Sequence, residues 1–438
     1  MEPRRTPVPD AQVAAWIDDL ANPEPAVEGI VALGHAAVGP LCIYLDRGPQ
    51  LVSQPRELAV RLLARLHDPV AADRLRGLLR DNPLRSLPPA LAESEYRVKD
   101  AAIAGLAGQL GTAAADDVAF GVRSERLPSA LRAAGRLRLR ALAPSMTALL
   151  ADDVLAETAA EALHELRPES TLDVLAAIAT WLRAEADTPR TRLALTRAFL
   201  WLQAAGEQPP QETYRQALRH PCVPVRAAAA LAVGSVVPAA EAEAVTAALA
   251  HGALGSDERL AADCRTRLQG LTGLPIEPLV RAWQGKAETD VYGNARSPNP
   301  TSRRFLLDIL LVQAGVAAAS LHRIVQEIPA DDLAEALFRW RQSTAPWLPV
   351  MLDHPDATVR LAATACLWRY PLPARPPWLA ARLGDRDRRV RHKACAVLTK
   401  LMAAGQASLY TTDLPARAWW RAPFACLRLL ARSARARH

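Results

Sequence analysis

Lysine is almost missing from this chain. Only Lys99, Lys286, Lys393 and Lys400 occur, so 49 of the 53 basic residues are arginine. Arginine suits planar recognition of phosphate and carboxylate, but an Ala- and Arg-rich codon bias of a GC-rich genome accounts for the imbalance more simply. Aromatic residues are only 5% of the chain, and β-branched residues are sparse, which argues against sheets, whose strands favour both. Cysteine is also thin. Cys42, Cys222, Cys264, Cys366, Cys395 and Cys426 show no metal-site or thioredoxin spacing. Four of them fall within apolar helical patterns, where cysteine acts as a small hydrophobe. No disulfide framework is expected, which fits a reducing cytoplasm. Long apolar runs are lacking too. The most apolar stretch, 305–321, is interrupted by Asp308 and Gln313 and is too short to span a bilayer. Residues 1–10 are polar and proline-rich, with no apolar signal core. The expectation is a soluble cytoplasmic protein with no membrane partner.

Motifs of catalysis and metal binding are missing as well. There is no His-Glu-x-x-His, no Cys-x-x-Cys, no phosphate-binding glycine loop and no Gly-x-Ser-x-Gly. The nine histidines do not cluster, and His220 with Cys222 offers two ligands without a second pair. The acidic pairs Asp116–Asp117, Asp152–Asp153 and Asp331–Asp332 each precede an apolar helical run, so they read as helix starts, where a carboxylate meets the positive dipole end. No catalytic residue, cofactor or metal is expected.

What is present is helix former. Half the residues are hydrophobic, mainly Ala and Leu, which lead the helix-propensity ranking. A chain of 438 residues is too long for one compact core. A repeat array escapes that limit, because each unit buries its apolar face against its neighbours. A repeat can be counted. The segment HPDATVR at 354–360 has copies in HPCVPVR at 220–226 and DRDRRVR at 385–391, and a weaker one in SEYRVK at 94–99. From Val359, small or apolar residues follow at offsets 3, 4, 7, 8 and 11: Ala362, Ala363, Cys366, Leu367 and Tyr370. The same offsets from Val225 give Ala228, Ala229, Ala232, Val233 and Val236. From Val390 they give Lys393, Ala394, Val397, Leu398 and Leu401, with Lys393 the one miss. This is the stripe of an amphipathic helix. Extending it places anchors at Val27, Leu58, Val98, Leu127, Leu155, Thr191, Val225, Leu260, Phe305, Leu333, Val359 and Val390, spaced 33 residues apart on average. Leu127, Phe305 and Leu333 fit the pattern least well.

A His-Pro or Asp turn, then Val-Arg, then an Ala-rich helix resembles the second half of a HEAT repeat. The preceding segments PWLPVML at 346–352 and PWLAARL at 377–383 are similar to its first helix. The resemblance covers nearly the whole chain and implies an all-α fold, a right-handed α-solenoid of about ten to twelve helix pairs. It marks Val98, Lys99, His220, Pro221, Val225, Arg226, His354, Pro355, Val359, Arg360, Asp385, Val390 and Arg391 as structural motif residues. Valine packs inward and arginine points outward in this reading. In HEAT families that arginine often bridges to an acidic residue of the next repeat, which makes Arg226, Arg360 and Arg391 solvated or laddered charges. Losing Arg360 should therefore matter much less than placing Asp at 359.

The rhythm divides the chain into N-terminal repeats at 1–284, a polar insertion at 285–304, C-terminal repeats at 305–413, and a basic capping helix and tail at 414–438. A second break, 81–94, holds Pro83, Pro88 and Pro89 and should be a loop. The insertion should be exposed and mobile. Seven of the ten tryptophans lie at or after Trp283; Trp347 and Trp378 hold matching places and should be core. Adjacent Trp419 and Trp420 cannot share a helix face. From residue 380 onward 13 basic residues stand against three acids. Trp419, Trp420, Arg428, Arg432, Arg435 and Arg437 are thus candidates for partner binding, with capping of the array the plainer role of that end. The fold's usual employment favours a non-catalytic scaffold that holds another protein along its surface. The alternative is nucleic-acid binding, resting on the basic end and on Arg132, Arg136, Arg138 and Arg140. Some HEAT-like families excise alkylated bases or attach bilins, so the resemblance also admits a glycosylase or lyase, although no motif here matches one. Oligomeric state is not legible.

Overall fold

The computed structural model describes residues 10–19, 23–167, 170–184, 187–233, 237–285, 288–292, 295–296, 300–314, 328–339, 348–369 and 375–403. These residues are helical apart from one short hairpin, and they fall into two compact units, 1–217 with 232–234, and 218–231 with 235–438.

In the first unit the helices are α1 Asp10–Asp18, α2 Pro23–Leu33, α3 Val38–Leu45, α4 Gln54–Arg65, α5 Pro69–Arg80, α6 Pro89–Leu110, α7 Ala115–Phe120, α8 Pro128–Arg136, α9 Ala143–Ala148, α10 Ala156–Glu165, α11 Ser170–Arg183, α12 Pro189–Ala205 and α13 Gln211–Leu218. They pair as the repeat implies: α3 with α4, α5 with α6, α7 with α8, and α9 with α10. The second members pack side by side, α4 on α6, α6 on α8 and α8 on α10. In the second unit, α14 Val223–Ala232 is followed by α15 Ala242–Leu254, α16 Glu258–Gly270, α17 Ile276–Gln284, α18 Pro300–Ala314, α19 Ala330–Arg339, α20 Leu348–Leu352, α21 Ala357–Cys366, α22 Arg375–Leu383 and α23 Arg388–Ala403. There α15 pairs with α16, α17 with α18, α20 with α21 and α22 with α23, and the row α19, α21, α23 again lies side by side. The class is all-α.

Most repeat anchors are core. Val98, Leu127, Val225, Leu333, Val359 and Val390 are fully buried, so Leu127 and Leu333 fit better than their sequence surroundings suggest. Phe305 is only half-buried, and the inward positions of α18 are the next two, Leu306 and Leu307. Leu58 is half-buried too, with Ala59 and Val60 taking the core.

Several expectations are corrected. The break at 81–94 is shorter than expected: α6 begins at Pro89 and runs 22 residues. Proline at the first helical position leaves no intrahelical bond unmade, so Pro88-Pro89 opens a helix rather than extending a loop. The weak repeat copy at 94–99 consequently lies inside α6 and not at a turn. The insertion is also trimmed. A two-rung antiparallel hairpin pairs Glu288 with Arg296 and Thr289 with Ala295, and 300–304 already belong to α18, again behind a proline. An apolar stretch passed over in the sequence, Val27–Leu45, is long and apolar enough to cross a membrane by composition. It forms α2, a 3₁₀ turn and α3, broken at Gly34 with φ +56°. Its Tyr44 hydroxyl hydrogen-bonds the Asp18 carboxylate. Finally, Cys395 is disulfide-bonded, whereas Cys42, Cys222, Cys264 and Cys366 stand outside any disulfide. Spacing along the chain does not show which cysteines a fold brings together.

Candidate functional site

Among the repeat motif residues, Arg360 is not an outward charge. It is 4% exposed and holds Asp385 of the next repeat through two bonds of 3.0 Å, Nε to Oδ2 and Nη2 to Oδ1. Its remaining nitrogen donates to the carbonyls of His354 and Pro355. Arg226 donates to the carbonyls of His220 and Pro221, and Arg391 to those of Asp385 and Arg386. Lys99, the equivalent residue of the weak copy, is fully buried, bonded to the Leu79 carbonyl at 2.9 Å and 3.5 Å from Glu125. Burial pulls its ammonium below the ordinary lysine range, against the opposing charge of Glu125. Arg56 pairs with Glu95, both fully buried. Arg360, Lys99 and the Arg56–Glu95 pair are buried and tie helices together from inside, whereas Arg226 and Arg391 are half-buried and brace their own turns.

The acidic pairs divide. Asp152 accepts from the backbone N–H of Val154 and Leu155, which is the helix-start role. Asp117 does something else: it is buried and receives Arg76 and Arg80 from α5 at 3.0 and 2.8 Å. Among the described residues no group of three or more His, Cys, Asp or Glu side chains could hold a metal.

The open features lie on the face lined by second helices. In the first unit a groove of about 500 Å³ runs over α4, α6 and α8. Its floor is small: Ala64 from α4, with Ala101, Ala104 and Gly105 from α6. Gly105 permits this, since a Cβ there would sit 2.6 Å from the Cβ of Ala64. Its walls carry Arg61 and Arg65, one turn apart on α4, Arg97 on α6, and Arg132 on α8. All four are exposed. Two carboxylates line the same groove, and both are engaged. Asp100 accepts from the N–H and Oγ of Ser129 at the start of α8, each at 2.8 Å. Glu57 accepts from Ser53 Oγ at 2.7 Å and lies 3.5 Å from Arg61. Tyr96 completes the wall. Desolvation, then the charges of Asp100 and Asp152, push its phenol up to about 12, so at neutral pH it is an uncharged ring and donor. Arg136, one turn beyond Arg132, is exposed as well.

In the second unit two adjoining cavities of about 510 and 180 Å³ share Lys393 and Ala396 and so form one groove between α21 and α23. It is lined by Arg388, Arg389, His392, Lys393 and Lys400, with no carboxylate. Trp368, 43% exposed, stands at one end, and the Lys400 Nζ lies 5.5 Å from its ring centroid. Two of the chain's four lysines are in this groove. The sequence carried a signal for it. Lys393 is the one residue that breaks the apolar stripe of the Val390 copy, where the Val359 copy has buried Ala362. The surrounding Arg-rich background hid the rest.

The candidate partner-binding residues Trp419, Trp420, Arg428, Arg432, Arg435 and Arg437, and Trp347, expected in the core, lie outside the described residues. Trp378 is half-buried. Of the Arg-rich run, Arg132 reaches the first groove, while Arg138 takes a left-handed conformation (φ 53°) after α8 ends.

Neither a protein-family model nor a curated protein matches the chain. Among solved structures, one of human deoxyhypusine hydroxylase in complex with glycerol is similar at 15% identity, over 90% of this chain and 97% of that one, with a TM-score of 0.20. That neighbour is by its name an enzyme; the comparison gives the expectation of a non-catalytic protein scaffold no support, and that expectation is withdrawn. Stacked helices serve unrelated functions, so the fold gives no ground for excluding chemistry, and any function must be argued from the grooves themselves.

Proposed function

We propose that this chain is a HEAT-type helical-repeat protein that binds nucleic acid along the second-helix face of its repeats. The observation that supports the reading is the charge of the α21–α23 groove: five basic or titratable nitrogen side chains and no carboxylate. The α4–α6–α8 groove adds four exposed arginines, and its two carboxylates are committed to Ser53, Arg61 and Ser129. Floors of alanine and glycine let a backbone approach, and the guanidinium fork matches phosphate oxygens. Phosphate contacts of this kind position a strand without reading its sequence.

The test is fluorescence anisotropy with a labelled mixed-sequence oligonucleotide, single- and double-stranded, at about 50 mM salt, where phosphate-driven binding is strong. The wild-type chain binds. Replacing Arg61, Arg65, Arg97 and Arg132 together by Ala weakens binding at least ten-fold with melting unchanged, since all four are surface side chains. No binding by the wild-type chain to either oligonucleotide overturns the proposal.

A further inference from the structure

At the α4–α6–α8 groove the cations stand in two pairs. Arg61 and Arg65 lie one turn apart on α4, and Arg132 and Arg136 one turn apart on α8, all of them exposed. Between the pairs α6 presents Ala101, Ala104, Gly105 and Gly108, none with a side chain larger than a methyl group, and Ala104 and Gly108 are exposed. We infer that this groove takes double-stranded nucleic acid by both backbones at once, with phosphates of one strand on Arg61 and Arg65 and those of the other on Arg132 and Arg136. This rests on the nucleic-acid reading above and narrows its ligand.

The packing sets the two pairs level. Arg56 meets Glu95 early in α4, and Ala64 meets Gly105 further along, so α4 and α6 run the same way. Tyr96 bonds the Arg126 carbonyl just before α8, and Asp100 receives Ser129 within it, so α8 follows the same direction. Arg61 and Arg65 bracket Ala64 and hence the level of Gly105. Arg132 and Arg136 follow Ser129 by the same steps that take α6 from Asp100 to Ile103 and Ala107. Both pairs therefore flank one stretch of α6, and α6 lies between them because α4 and α8 each pack against it. Neighbouring helix axes lie about 8–10 Å apart, which puts the two arginine-bearing axes about 16–20 Å apart. Long side chains reaching inward shorten that span toward the width of a B-form groove, about 12 Å for the major and 6 Å for the minor. A single backbone needs one row of cations; two rows across a neutral trough match the two edges of a duplex groove. The trough also lacks what unpaired bases use. Sequence-tolerant single-strand sites offer aromatic faces for stacking, and the aromatic among the residues lining this groove, Tyr96, is half-buried with its hydroxyl bonded to the Arg126 carbonyl. Alanine and glycine bring no side-chain donor or acceptor to a base edge, so recognition is of the backbone and not of the sequence. Glu57 and Asp100 lie nearer the helix starts than the stretch that the two pairs flank.

The experiment titrates the full chain into three labelled duplexes of one mixed sequence, read by fluorescence anisotropy at about 50 mM salt. One duplex has phosphodiesters in both strands. In each of the others, one strand or its complement carries neutral methylphosphonate linkages instead. A protein that holds a single strand still has the charged one to use, so either replacement costs on the order of two-fold, the statistical loss of one strand in two. A protein that bridges both strands loses the counterion release of one whole row, and the wild-type chain binds either half-neutral duplex about ten-fold more weakly than the charged one. Arg132→Ala with Arg136→Ala weakens binding to the charged duplex and abolishes the difference, and Arg61→Ala with Arg65→Ala does the same. Wild-type affinities within about two-fold across the three duplexes overturn the bridging inference and leave nucleic-acid binding standing; this comparison needs no variant to fold. A difference that survives in both arginine variants also overturns it, as does binding to a single strand of the same sequence but to no duplex. Failure to bind the single strand or any duplex overturns both this inference and the nucleic-acid reading.

Discussion

His220, His354 and Asp385 differ in chemistry, yet they do one job. The Nδ1 of His220 accepts from the N–H of Cys222, that of His354 from Asp356, and the Oδ1 of Asp385 from Asp387, at 3.1, 3.1 and 2.9 Å. Each side chain folds onto the amide two residues on, so the turn tolerates either residue. Asp356 and Asp387 then cap the helices that follow by accepting from the N–H of Thr358 and Arg389. The repeat motif is thus a turn and a cap, and that much was legible in the sequence. The bridge from Arg360 to an acid of the next repeat was implied by the family resemblance, but the burial of the Arg360–Asp385 pair was not, because spacing shows a charge and not its surroundings. Truncating Arg360 to Ala leaves Asp385 buried and without its main partner, which costs on the order of 3–5 kcal/mol. Chemical denaturation measures this, and a loss below about 1 kcal/mol would return Arg360 to the solvated role first expected. The pair also sets an acid limit. Burial raises the Asp385 carboxyl, but the hydrogen bonds from Arg360 and from the Asp387 amide, with the charges of Arg360 and Arg382, outweigh it and hold the group below the usual aspartate range. A carboxylate depressed in the folded state adds stability above its unfolded pKa of about 4, and that stability is lost as pH falls through the folded value. Asp385→Asn should therefore lower stability at neutral pH and flatten its decline below about pH 4. An unchanged acid profile would show that this carboxylate does not govern it.

The helices themselves follow from composition and pattern, and their ends follow from proline. Pro55, Pro69, Pro89, Pro128 and Pro189 all stand in the first turn of a helix, so prolines that look like breaks in the chain are starts. That is why loops read at 81–94 and 285–304 came out too long. A departure of another kind is the π-helical turn Gly121–Glu125, closed by Arg126 in the left-handed region. It brings Glu125 to Lys99, and no periodicity of 3.6 foretells it. Close approach between second helices rests on small residues, most tightly at Gly105. Gly105→Ala overpacks α4 against α6 and should cost about 1–3 kcal/mol, while Ala64→Gly in the same chain removes the clashing methyl and recovers most of that loss. Equal melting of the single and double variants would mean that the helices part without strain.

Across the whole molecule, a net charge of +7 is distributed unevenly, and much of the arginine is internal bracing. Arg56 and Arg360 join repeats from inside, and Arg76 reaches buried Asp117. A codon bias explains why so many cations are arginine; it does not explain two lysines beside an exposed tryptophan in a groove without acids. The grooves were illegible as grooves in the sequence, because their residues come from helices about 30 residues apart and no local motif joins them. The misfit Lys393 pointed to one groove and Arg132 of the arginine-rich run to the other. If these grooves hold phosphates, oligonucleotide binding must weaken steeply with added salt. About four phosphate contacts on a single strand, each contributing about 0.7, give a slope of log affinity against log salt near −3. The wild-type chain should show that slope, and Lys393→Ala and Lys400→Ala a shallower one, by about 0.7 per cation removed. Binding that does not change with salt would contradict phosphate binding by the grooves.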